Sequence, residues 1–101
     1  MASSNRGFRE IRLEDELKTE QDAADFINAV AELDDPATLQ AALGEVARIR
    51  GMRDVAQQAG LNETSLYRAL SDEGNPRLST LERVLDAMGL AIKVVPKNQR
   101  A

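Results

Sequence analysis

The 101-residue chain has no cysteine, no histidine and no tryptophan. Without cysteine there are no disulfides, no thiolate metal ligands and no thiol nucleophile. Without histidine there is no imidazole acid–base group and no Ser-His arrangement, and ordinary zinc sites lose their second ligand type as well. Carboxylates are what remains for an enzyme, and a helical domain this small leaves little room for a deep pocket. The expectation is a protein that is not an enzyme, with no cofactor, no bound metal and no small-molecule substrate. Aromatics are only 3% of residues, which disfavours a β-sandwich built on aromatic and β-branched strands. No apolar run approaches the roughly 20 residues of a membrane span. The opening Met1-Ala2-Ser3-Ser4-Asn5-Arg6 has no apolar h-region, so no secretory signal is read there. A soluble, cytoplasmic protein is expected.

What is present is leucine, alanine and charge. Hydrophobic residues make up 43% of the chain and charged residues 30%, enough for one modest helical core. The net charge of −4 is unevenly spread. Residues 1–34 hold four Lys/Arg against nine Asp/Glu, while residues 35–101 hold nine against eight. This divides the chain into an acidic N-terminal arm, 1–34, and a near-neutral body, 35–101.

Within the arm, Phe8 to Leu13 alternates weakly and reads as a short strand. Leu17 to Leu33 then reads as a helix. Thr19 and Asp22 have the spacing of a capping box, and Ala23, Phe26, Ile27 and Val30 recur at i, i+3, i+4 and i+7. The opposite face carries Glu20, Asp25 and Asn28. Such a helix either packs Phe26 and Ile27 onto its own domain or docks as an acidic amphipathic element on a basic partner. For the second role the candidate contacts are Asp22, Asp25, Phe26, Ile27 and Val30.

In the body, Asp35 and Pro36 start a helix with Leu39, Ala42, Leu43, Val46 and Ile49 on its apolar stripe, closed by Gly51. Two short helices follow, about Met52–Ala59 and Glu63–Leu70, joined at Gly60-Leu61-Asn62. Gly60 suits a left-handed turn, and Asn62 supplies a capping oxygen. Ser79-Thr80-Leu81-Glu82 has the capping-box pattern for a last helix, ended by Gly89. Leu90 to Val95 is apolar and β-branched, and predicts a short C-terminal strand with Leu90, Ile92 and Val94 on one face. Its pairing partner is left open: Phe8–Leu13, a second subunit, or the sheet edge of another protein.

Two short helices about a glycine turn form a helix-turn-helix, whose second helix enters the DNA major groove. Leu66, Ala69 and Leu70 give the second helix its buried side. Glu63, Thr64, Ser65 and Arg68 are the candidates for base readout, Arg68 as a bidentate fork on guanine and Glu63 as an acceptor for cytosine N4. Arg53, Gln57, Tyr67, Asn75 and Arg77 are the candidates for the DNA backbone. A symmetric dimer on a palindromic operator is the expected form.

Over Asp35 to Leu90 the chain resembles the lambda-repressor-like (XRE/Cro-type) helix-turn-helix family, which implies a mainly α bundle. That family often has Ser or Thr at the cap where this chain has Arg53. A second resemblance covers most of the chain. It rests on Asp35-Pro36, on Leu39-x-x-Ala42-Leu43-Gly44-x-Val46-Ala47-x-x-Arg50-Gly51-Met52, on Gly60-Leu61 with Leu66-Tyr67-x-Ala69-Leu70-Ser71, on Gly74-Asn75-Pro76 and on Leu85-x-Ala87-Met88-Gly89-Leu90. These look like the addiction-module antidote proteins, a HigA-like antitoxin group. The resemblance implies a small basic toxin of the RelE/ParE type, and an antitoxin that represses its own operon. An acidic arm suits a basic partner. Two other functions stay open: a stand-alone phage-like repressor, and an interaction module that no longer binds DNA.

Overall fold

The computed structural model describes residues 16–71 and 74–97. Five helices follow one another there: α1 (Glu20–Ala31), α2 (Pro36–Arg50), α3 (Met52–Ala59), α4 (Glu63–Ala69) and α5 (Leu78–Ala87). The architecture is mainly α, and no strand occurs among the described residues.

Local chemistry explains most of the boundaries. The Thr19 hydroxyl accepts the Asp22 amide at 3.0 Å, and the Asp22 carboxylate accepts the Thr19 amide at 3.2 Å, so both halves of the capping box form at α1. Asp34, with φ 55°, turns the chain between α1 and α2; Asp is among the few residues with a Cβ that visit this region. Asp35 occupies the N-cap of α2 and Pro36 its first position, but the Asp35 carboxylate takes the Thr38 hydroxyl at 2.7 Å rather than a backbone amide. Gly51, at φ 105°, separates α2 from α3.

Two expectations fail. The segment Leu90–Val95 is not a strand: it carries neither helix nor ladder, and residues 91–97 are all exposed. Its alternation is compatible with a strand, but a strand exists only with a second backbone beside it, and none of the described residues supplies one. The Phe8–Leu13 segment lies outside the described residues. The capping box at Ser79 is also absent. Helix α5 begins at Leu78 with Arg77 as its N-cap, because the Leu81 amide already bonds the Arg77 carbonyl at 3.0 Å. Ser79 therefore has helical backbone and cannot act as the cap.

The core is made of small and medium side chains. Val46, Leu66 and Val84, from α2, α4 and α5, are its largest fully buried members, with Val55, Ala56 and Ala59 of α3 beside them. Helix α3 packs most closely on α5, and α1 on α2. Helix α1 is part of this core: Ala23 has no exposed surface, Phe26 and Ile27 pack against the cluster, and Leu17, just before the helix, is 6% exposed. An ion pair, Arg50 Nη1 to Glu20 Oε2 at 3.5 Å, joins the end of α2 to the start of α1. No helix among the described residues is long and apolar enough to cross a membrane.

Leu66→Ala is expected to cost about 2–5 kcal/mol, the usual range for emptying a buried leucine site. Urea denaturation followed by circular dichroism measures it, and a loss below 1 kcal/mol would contradict the central position of Leu66.

Candidate nucleic-acid interface

The α3–turn–α4 unit is built by hydrogen bonds that leave little freedom. Gly60 sits at φ 75°, ψ 29°. Its amide bonds the Gln57 carbonyl at 3.2 Å, and the Leu61 amide reaches back to the Ala56 carbonyl at 2.9 Å. This is the Schellman pattern, which needs a left-handed residue at that place. Asn62 then caps α4, its Oδ1 accepting the Ser65 amide at 2.7 Å. The expectations for Gly60 and Asn62 hold.

Two long side chains from outside the unit fix it further. Arg83 of α5 donates from Nε to the Ala59 carbonyl at 2.9 Å and from Nη2 to the Gly60 carbonyl at 3.1 Å. Gln40 of α2 reaches the other end of α4: its Nε2 lies 2.9 Å from the Ala69 carbonyl, 2.6 Å from that of Ser71 and 3.3 Å from that of Gly74. Gly74 must be glycine for this approach, since a Cβ there would stand 2.3 Å from the Arg68 carbonyl oxygen. Neither Arg83 nor Gln40 was singled out from sequence. Their partners are 23 to 34 positions away, and no local pattern marks such a bond.

With the unit held this way, Leu66, Ala69 and Leu70 are buried. Glu63, Thr64, Tyr67 and Arg68 are exposed, and Ser65 is half-buried. Ser65, Arg68 and Asn75 line one shallow depression of about 220 Å³ together with Thr80. Arg53 and Gln57 are exposed on α3. Arg53 Nε lies 3.9 Å from Glu63 Oε1, with both side chains largely open to water. Such a pair is worth about 0–1 kcal/mol, so either side chain is easily released to another partner. Tyr67 is displaced from this group. It lines a different depression with Arg48 and Glu45 of α2, which form an ion pair of their own. Arg77 is exposed at the start of α5.

The second group of candidates, on α1, is divided by the packing. Phe26, Ile27 and Val30 are half-buried, the first two against the core cluster. Asp22 is engaged in the helix cap. Asp25 is exposed and accepts a bond from Gln21 Nε2 at 2.9 Å. The open surface of α1 is therefore the acidic one, Glu20, Asp25, Asn28 and, just past its end, Glu32.

The family model for "Probable addiction module antidote protein" matches residues 8–96, most of the chain and every described helix. The chain belongs to this family. A relative from Haemophilus influenzae, an uncharacterized protein, is 31% identical over 87 residues, covering 86% of this chain and 90% of the other. No solved structure matches. Membership makes this antidote the antitoxin side of a toxin–antitoxin pair and implies a toxin as its partner.

Arg83→Ala is expected to lower the stability of the antidote by about 1–3 kcal/mol, since it leaves two carbonyls at the turn without their charged donor. It is also expected to raise amide hydrogen exchange at Gly60 and Leu61. Unchanged exchange at those amides would mean that the Schellman bonds hold the turn unaided.

Proposed function

We propose that this antidote is a HigA-like antitoxin with two working faces. One is the α3–α4 unit, which binds the major groove of its own operator and represses the operon. The other is the acidic surface of α1, which attracts a small basic toxin of the RelE/ParE type. The protein acts by binding alone, in the cytoplasm, and meets a palindromic site as a homodimer.

The observation that carries the DNA half is the exposure of Thr64 and Arg68 on a short helix, with Arg83 holding the turn before it and Gln40 its far end. A reader needs fixed orientation more than it needs net charge, because base edges are recognised by geometry and phosphates by local charge. Arg53 and Gln57 stand near the start and in the middle of α3, where that helix would cross the DNA backbone. The toxin half is supported by family membership and by the acidity of the exposed side of α1. The net charge of −4 is the one property that favours the alternative of an interaction module without DNA binding.

A promoter fragment from the antidote's own operon is expected to shift in a gel at low salt, where phosphate attraction is strongest. Arg68→Ala is expected to lose about 1–3 kcal/mol on that fragment and far less on random DNA. An equal loss on both would make Arg68 a phosphate contact, and no shift at low salt would leave the interaction module as the function.

For the toxin face, removing residues 1–33 is a poor experiment, since it strips Ala23 from the core. The double variant Asp25→Lys, Glu32→Lys changes only exposed positions. It is expected to weaken capture of the protein encoded by the adjacent reading frame at least tenfold, with the fold and thermal stability of the protomer retained. Full capture would remove α1 from the toxin interface.

A further inference from the structure

Gly89, at φ 77°, ends α5 with a second Schellman turn, the Leu90 amide bonding the Leu85 carbonyl at 2.8 Å. Beyond it the chain carries three β-branched residues in the open: Ile92 is 47% exposed, Val94 90% and Val95 46%. Next to them lies an apolar groove of about 550 Å³ between α1, α2 and α5, lined by Ile27, Leu39, Leu43, Leu81 and Leu85, with Ile92 at its edge. An apolar groove beside an exposed apolar segment is an unfinished core.

We propose that a second copy of this chain completes it, the two 90–95 segments pairing antiparallel about a two-fold axis at Ile92. In that register Leu90 stands opposite Val94 of the second copy, and Ile92 opposite its own equivalent. The apolar faces coincide and cover both grooves. Ala91 then stands opposite Lys93 of the second copy, which avoids the like-charge pair that a seam centred on Lys93 would create. Pro96 ends the ladder, having no amide to donate.

Charge is compatible with this occupant. Residues 89–101 hold Lys93, Lys97 and Arg100 and no acidic residue, whereas residues 16–35 hold seven Asp/Glu and one Lys. Glu20 lies on the groove wall and Asp25 is exposed on the same helix. A basic tail is attracted to the acidic α1 of a second copy as it crosses the seam.

The proposal deepens the homodimer of the preceding reading, but the measurements that decide it, mass and cross-linking, use neither DNA nor toxin, so either can fail alone. Sedimentation equilibrium of the full chain is expected to give twice the 11.1 kDa protomer mass. Val94→Asp, at a side chain that is 90% exposed within the protomer, is expected to weaken the dimer at least tenfold while the chain keeps its helical circular-dichroism spectrum. The chain has no cysteine, so Ile92→Cys gives a clean geometric probe. Residues directly opposite in an antiparallel pair have Cα atoms about 4.5–5.5 Å apart, within disulfide range. Mild oxidation is expected to cross-link Ile92→Cys fully and Leu33→Cys poorly. A monomeric native chain, a Val94→Asp dimer of native affinity, or equal cross-linking of the two cysteine variants would each overturn the proposal. A monomer whose Val94→Asp variant no longer captures the toxin would assign the tail to the toxin instead.

Discussion

The left-handed turn at Gly60 is the constraint on which the rest of the fold depends. A single backbone conformation there sets the angle between α3 and α4, and everything around it serves to keep that angle. Asn62 launches α4, Leu66 pins it to the core, and Arg83 ties the carbonyls on either side of the turn to α5. Gln40 does the same for the far end of α4 from α2. The two bonds from Arg83 together contribute about 1–3 kcal/mol, more than an exposed ion pair such as Arg53–Glu63. The α3–α4 unit is therefore held by residues that stand behind it, while Thr64 and Arg68 are exposed on its other side.

How much of this was legible in the sequence depended on the range of the interaction. Gly60, Gly51, Pro36, Asn62 and the Thr19–Asp22 box are local rules, each satisfied within three or four residues, and all appear in the structure where the pattern placed them. The Asp35 and Ser79 caps show the limit even at short range. Thr38 competed for the Asp35 carboxylate, and an earlier helix start at Leu78 displaced Ser79. Gln40 and Arg83 were invisible because a long-range bond to a backbone carbonyl leaves no spacing behind. The C-terminal strand was misread for a related reason. Alternation describes which side chains share a face, while strand structure depends on a neighbouring backbone. The family was legible from correlated motifs, and the match over residues 8–96 agrees with it. The two faces differ in this respect: the DNA candidates follow from helix geometry, whereas the toxin candidates combined an apolar stripe and an acidic face that packing then separated.

Helix α1 has a double position. Its inner side supplies Ala23 to the core, and its first residue, Glu20, contacts Arg50 at the end of α2. The Glu20 side chain also lies so close to Gly89 that a Cβ on that glycine would be 2.8 Å from Glu20 Cγ. The acidic surface is thus mounted on the same framework as the α3–α4 unit.

The burial of Ala23 also bears on how such a protein is destroyed. A protease that severed a flexible tether would release the acidic surface and leave a working repressor behind. Here the acidic surface and the reader share one hydrophobic interior. A cut within α1 removes part of that interior, so the fragment loses the support of the α3–α4 unit as well. The two tasks proposed for this antidote would then be lost in one event, with a single lifetime for both.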